Sequence, residues 1–268
     1  MSTIVVLIPV FNDPEGIVRT LDSLLVAERP TGTVTLVVDD GSEPPVDIDP
    51  SRYRDLHFEV VRLRWNQGIE GALNTGLAWA RERGCSFVAR LDSGDRIDAR
   101  RLPLQLDFLR RNPDVGVVAT DVLFVDEADR PLFTFRVPVD DAGIRRRMHL
   151  NSCLPHFSVM MRRTVLDQIG DYSTAYPAAE DYDLFFRILR GSKAAGMALP
   201  LVTTTHASRS ISVQRRRRQL VSRLRLQRAN FAAGVPQSYY GIAITMLLFL
   251  VPGSWIVAAK RLAGETWM

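Results

Sequence analysis

The sequence predicts an α/β fold of the doubly wound kind, a mostly parallel sheet with helices on both faces, followed by a helical C-terminal tail that is basic and then apolar. Three observations carry this. Short, continuously apolar runs alternate with segments of helical periodicity over residues 3–112, the rhythm of a parallel sheet covered on both faces. Each apolar run ends in a polar turn, where sheets of this kind bind ligands. Charge then divides the chain: residues 1–183 hold 21 Lys/Arg against 29 Asp/Glu, and residues 184–268 hold 13 Lys/Arg against a single acid, Glu265.

The elements follow in order. "TIVVLIP" is a buried strand closed by Pro9; with no basic leader or small-residue cleavage site, it reads as core and not as a signal peptide. "DPEGIVRTLDSLLVA" sets Ile17, Leu21, Leu24 and Leu25 on one helical face, with Pro14 and Glu15 suited to the first turn. "TVTLVVDDGS" and "HFEVVRL" are the second and third strands, and "GIEGALNTGLAWARERG" is a helix closed by Gly84. "SFVARLDSGD" is the fourth strand, followed by the helix "ARRLPLQLDFLRRN". A chain of 268 residues has ample core for this. Cys85 and Cys153 lie far apart without metal-ligand spacing, as expected of reduced structural thiols in a cytoplasmic protein.

Three strand ends therefore matter: Pro9 to Asp13, Asp39 to Ser42, and Asp92 to Asp95. Asp, Gly and Ser make turns for local reasons, which accounts for any one of them. Carboxylates gathered at one rim repel unless a cation or hydrogen-bond donors compensate. Asp92 and Asp95 are hard oxygen ligands that could hold a divalent metal, which would clamp a diphosphate. Neither a Walker loop nor a G-x-G-x-x-G stretch is present.

"IPVFND", "VVDDGS", "NQGIEGALNTGLAWARERG", "RLDSGDR" and "AEDYDLFFR" occur in that order over residues 3–190. In order and spacing they resemble the motifs of a family 2 glycosyltransferase of the GT-A fold. The resemblance implies inverting transfer from a nucleotide-diphosphate sugar (UDP-, dTDP- or GDP-linked) to a lipid-linked or cell-surface glycan, with Mn²⁺ or Mg²⁺ at the Asp-rich strand end. It implies that residues 1–205 form the catalytic unit, with a nucleotide-sugar half over about 1–112 and an acceptor half over about 113–205.

Roles follow by resemblance. Pro9 and Phe11 would line the nucleotide pocket, Asp40 would accept hydrogen bonds from the base, and Asn66 and Asn74 would sit beside base and diphosphate. Asp92, Ser93 and Asp95 match the metal motif, which usually has an acid where this chain has Gly94. Asp95 would then carry most of the metal binding, with Asp92 helping from the ribose side. Asp181 of "AED" would be the base that takes the acceptor's proton, with Glu180 orienting the acceptor. The same acids would also suit a helix start; Asp183 reads as a surface acid. His156 matches a segment near the acceptor, and His206 matches a metal or diphosphate contact after a one-residue shift.

The tail, residues 206–268, is expected to be a region apart. Seven arginines lie between Arg215 and Arg228, and Leu220, Leu224 and Phe231 fall on one helical face, which describes a basic amphipathic helix. Residues 241–259 carry no charge, a length at the lower limit for crossing a bilayer. Together they suggest attachment to an anionic membrane on its cytoplasmic face. Two other classes compete. A nucleic-acid-binding protein fits the arginines and the pI near 9.4, but the body is acidic and the tail lacks interleaved aromatics. A metal-dependent nucleotidyltransferase would need a basic, Gly-rich first loop, which "IPVFNDPEG" is not.

Overall fold

The computed structural model describes residues 3–206 and 216–251. Its elements are β1 (Ile4–Val10), α1 (Pro14–Leu25), β2 (Thr33–Asp39), β3 (Phe58–Arg62), α2 (Gly68–Glu82), β4 (Phe87–Arg90), β5 (Arg96–Ile97), α3 (Arg101–Arg111), β6 (Val115–Val125) and β7 (Pro131–Phe135). There follow α4 (Asp141–Met148), β8 (Met160–Arg162), α5 (Arg163–Ile169), α6 (Glu180–Gly191), β9 (Lys193–Thr205), α7 (Arg216–Ala229) and α8 (Pro236–Leu250). The strands form one sheet in the order β3-β2-β1-β4-β8-β6-β9-β5, with β7 paired to β6.

β1 is wholly buried and pairs in parallel with β2 on one side and β4 on the other. The chain leaves β1 in one direction for β2 and β3 and returns on the other side for β4. Strand order therefore reverses beside β1, which opens a crevice at the strand ends. Alternation along β1 feeds two cores. Val5 and Leu7 pack with Leu73 and Leu77 of α2 and Phe185 and Ile188 of α6. Ile4, Val6 and Ile8 pack with Ile17, Leu21 and Leu24 of α1 and with Leu102 and Leu106 of α3. Each such side chain contributes about 1.5–3 kcal/mol through burial.

Beyond α3 the sheet turns mixed. β8 runs antiparallel to both β4 and β6, whereas β9 runs parallel to β6. The long β6 and β9 carry the sheet across the residue-112 division expected from sequence, so both halves share one framework. Cys85 and Cys153 are buried and unpaired.

The tail departs from expectation. α7 is not an isolated amphipathic helix. Leu220 and Leu226 are buried, while Phe231 lies beyond the helix end, exposed and edge-on to Tyr239. α7 is fastened to the body: Ser222 Oγ donates to Pro177 O at 2.9 Å, Arg223 to Leu150 O at 2.6 Å and Arg225 to Ala175 O at 3.1 Å. α8 turns its small and polar residues inward. Ser238 Oγ bonds His149 Nδ1 at 3.0 Å, and Thr245 Oγ1 donates to Gln227 Oε1 at 2.8 Å. Ile244, Met246, Leu247 and Leu250 face outward. Among the described residues no helix is long and apolar enough to cross a membrane. Arg215 and residues 252–259 of the apolar stretch lie outside the described residues.

Candidate active site

The ends of β1 and β2 build a rim beside Pro9, Phe11 and Asp40. Pro9 is buried within β1, and Phe11 is exposed. Asp40, 4% exposed, accepts from the backbone amide of Gln67 at 2.7 Å and so ties β2 to the start of α2. Burial raises its pKa above the usual carboxylate value. Gly41 at φ +73° lies under the Trp65–Asn66 backbone; an added Cβ would come within 2.6 Å of the Trp65 carbonyl carbon. Only glycine permits both that dihedral and that approach. Asn66 is exposed and accepts from Gly68 N. Asn74 is held elsewhere: its Nδ2 donates to Tyr172 O at 3.0 Å and its Oδ1 accepts from Tyr172 N at 2.8 Å. Both ends of the Asn74 amide are thus engaged by the Tyr172 backbone, which fixes the side chain expected beside the diphosphate.

A cavity of about 380 Å³, with none of these residues in its lining, is lined by Glu70, Asp92, His156, Glu180 and Asp181. Its apolar wall comprises Phe124, Phe135, Leu154 and Phe157. Glu180 and Asp181 open α6, following Ala178 at φ +61°, an uncommon dihedral for a residue with a side chain. Asp181 Oδ1 accepts from Tyr182 N at 2.7 Å, so the carboxylate is aimed by the helix itself. Burial pushes Asp181 up to about 6 and Glu180, also repelled by Asp181, to about 8. Glu180 Oε2 is buried and has no hydrogen-bond partner among the described residues. Near neutral pH the pair therefore shares one proton. Asp183 is not a surface acid: it is 8% exposed and paired with Arg187 at 2.8 Å.

Beneath the cavity lies a polar network that the sequence did not bring out. Arg90, fully buried in β4, donates to Leu7 O at 2.8 Å and pairs with Asp92 at 2.5 Å. Its Nε faces His156 Nε2 at 3.4 Å, and Tyr172 Oη meets the same nitrogen at 2.7 Å. With Nε2 accepting, the imidazole proton sits on Nδ1. Burial, with the Arg90 charge, lowers the His156 pKa well below the ordinary value, so the ring is neutral. Arg101 is also fully buried and donates to Arg90 O at 2.7 Å; burial lowers its pKa to about 9. The signal available was a cation inside the apolar run "FVARL".

The metal expectation needs rearrangement. Asp95, 5% exposed, does not line the cavity; burial, reinforced by Asp92, raises its pKa well above normal. His206 lies edge-on to the stacked Phe124 and Phe133 rings. Ser93 Oγ donates to Asp13 Oδ2 at 2.8 Å. Among the described residues no three His, Cys, Asp or Glu side chains gather as a metal centre. Asp92, its side chain 42% exposed, is the one acid of "DSGD" in the cavity. The residues fit a divalent ion held through one carboxylate, with substrate phosphates supplying further oxygens, a common Mg²⁺ arrangement.

Comparison with known proteins agrees with this architecture. Residues 5–170 match Glycosyl transferase family 2. The pre-mycofactocin glycosyltransferase of Mycobacterium tuberculosis is 29% identical over 214 residues, covering 76% of this chain and 43% of that protein; this chain thus spans less than half of that relative's length. The crystal structure of Staphylococcus aureus TarS 1-349 in complex with UDP-GlcNAc superposes with a TM-score of 0.65 at 19% identity, over 92% of this chain and 72% of that one. The mannosyltransferase PcManGT from Pyrobaculum calidifontis, in complex with GDP-Man and Mn²⁺, gives 0.62 at 18% identity, over 98% and 76%. These two likenesses show the fold, which is GT-A.

Proposed function

Because this chain belongs to Glycosyl transferase family 2, we propose that it moves a sugar, with inversion, from a nucleotide-diphosphate sugar to a hydroxyl of a glycan or glycolipid. The observation that carries the reading is the pair Glu180 and Asp181 facing the same cavity as Asp92. Asp181, ionised above about pH 6, is the base that takes the acceptor hydroxyl's proton as its oxygen attacks the anomeric carbon; a base poised near working pH is the efficient choice. Glu180, protonated up to about pH 8, keeps an O–H to give the acceptor or sugar. Pro9, Phe11, Asp40 and Asn66 border the nucleotide.

Asp92 would hold the divalent ion together with the donor's phosphates, and Asp95 supports the strand end from beneath. When bound, that ion offsets the negative charge gathering on the departing diphosphate. The UDP-GlcNAc and GDP-Man complexes of the two structural neighbours support a nucleotide-sugar donor. Phe124, Phe135, Leu154 and Phe157 offer an apolar wall to the acceptor. The outward apolar face of α8 and the arginines of α7 favour work at an anionic membrane surface over binding nucleic acid. The test is incubation with UDP-, dTDP- and GDP-sugars and Mn²⁺. Nucleoside diphosphate should be released, and nuclear magnetic resonance should show the anomeric configuration of the product inverted. Retained configuration or no release from any donor refutes the reading.

A further inference from the structure

The acids of the cavity come from the body, but two lining residues do not. Arg218 and Gln219 belong to α7, in the tail that the sequence set apart. Their place is not accidental to a loose helix. One turn on, Ser222 is bound to Pro177 O, and Pro177 and Ala178 both line the cavity immediately ahead of Glu180. Gln227 Nε2 adds a bond to Leu150 O at 2.9 Å, and Leu220 and Leu226 are buried. The helix is thus held against the loop that delivers Glu180 and Asp181.

The charges explain what this edge is for. Four acidic side chains line the cavity, Glu70, Asp92, Glu180 and Asp181, the last two sharing a proton near neutral pH. Arg90 lies underneath and is engaged by Asp92 and by backbone carbonyls. Arg218 is exposed and forms no ion pair among the described residues. It is the one cationic side chain among the lining residues. An anionic group entering an acid-lined cavity is repelled unless a fixed donor meets it, and a guanidinium offers planar, forked donors to phosphate or carboxylate oxygens.

Building on the transferase reading, we propose that Arg218, with Gln219 beside it, is a specificity-determining anion contact. The group it holds is a phosphate or carboxylate on one of the two substrates, either the donor's diphosphate or an anionic group of the acceptor. The tail is therefore part of the active site.

The experiment uses the full chain, Arg218→Ala and Arg218→Lys, with circular dichroism to establish that all three are folded. UDP and GDP are titrated first by calorimetry. Inorganic phosphate is then titrated into enzyme saturated with whichever nucleotide binds. A loss of about tenfold in nucleotide affinity for Arg218→Ala, the size of one charge-assisted hydrogen bond, partly restored in Arg218→Lys, supports the contact and assigns it to the donor. Unchanged nucleotide affinity with about tenfold weaker phosphate binding supports it and assigns it to the acceptor. If folded Arg218→Ala matches the wild type in both titrations, the inference is overturned while the transferase reading stands. If the wild type binds neither nucleotide and releases no diphosphate from any sugar donor, it is the transferase reading that falls, and the inference with it.

Discussion

Asn74 and Tyr172, 98 residues apart in sequence, hold each other by two hydrogen bonds, amide to backbone in both directions. The clasp fixes the segment whose Tyr172 hydroxyl reaches His156 at the cavity. Asn74→Ala should remove both bonds and cost about 2 kcal/mol at about 1 kcal/mol each, seen as a lower urea midpoint. Because no donor contact is lost, KM for the nucleotide sugar should stay put while kcat falls. A changed donor KM with unchanged stability would return Asn74 to the nucleotide.

Asp181→Asn should lower kcat by roughly 10²–10⁴-fold, the usual worth of a positioned base. Nucleotide binding by calorimetry should be nearly unaffected. Loss of that binding would place Asp181 on the donor side.

The proton shared by Glu180 and Asp181 predicts the pH profile of kcat. Asp181 must be ionised, so activity should rise as pH passes about 6; Glu180 must keep its proton, so activity should fall as pH passes about 8. Glu180→Gln should erase the alkaline limb and leave the acid limb. A profile unchanged by that substitution rules out Glu180 as the origin of the alkaline limb.

The same shift has a stability consequence of definite sign. Glu180's pKa is raised by burial in the folded state, so its contribution is fully present below about pH 4.5. It is lost as pH rises through about 8. Glu180→Gln should therefore raise Tm at pH 9 by roughly 2–4 °C per kcal/mol recovered, and change it little at pH 4.5. Thermal melts at the two pH values decide this.

Asp92→Asn should weaken Mn²⁺ binding to the nucleotide-loaded enzyme, measured by paramagnetic resonance, and lower turnover roughly 10²-fold. Asp95→Asn should leave Mn²⁺ affinity closer to wild type and show itself in the melting temperature. The reverse pattern would restore Asp95 as the principal ligand.

The strands and helices of residues 3–112 were legible because their signals are local. Continuous apolar runs, a proline at a helix start and glycine at φ +63° after α2 each announce an element without help from distant residues. The acid pair at 180–181 was legible for the same reason. What escaped depends on contacts across the sheet. Nothing near Asn74 in sequence reveals that its partner is Tyr172. Arg90 reads as an interruption of a strand until His156 and Asp92 are brought to it. The tail misled because composition alone marks it as separate, whereas Ser222, Arg223, Arg225 and Gln227 tie it to the body through backbone carbonyls.

That reach sets an order of events during synthesis. Domains fold from the N-terminus as the chain emerges, and the nine strands of the described residues are complete at Thr205. A chain released just after that point would carry every one of those strands and both acids of α6, yet it would lack the side of the cavity formed by Arg218 and Gln219. Competence would arrive as a late step, when α7 docks on a surface already formed. Nascent chains released at successive lengths should thus gain activity abruptly, well after they gain protease resistance.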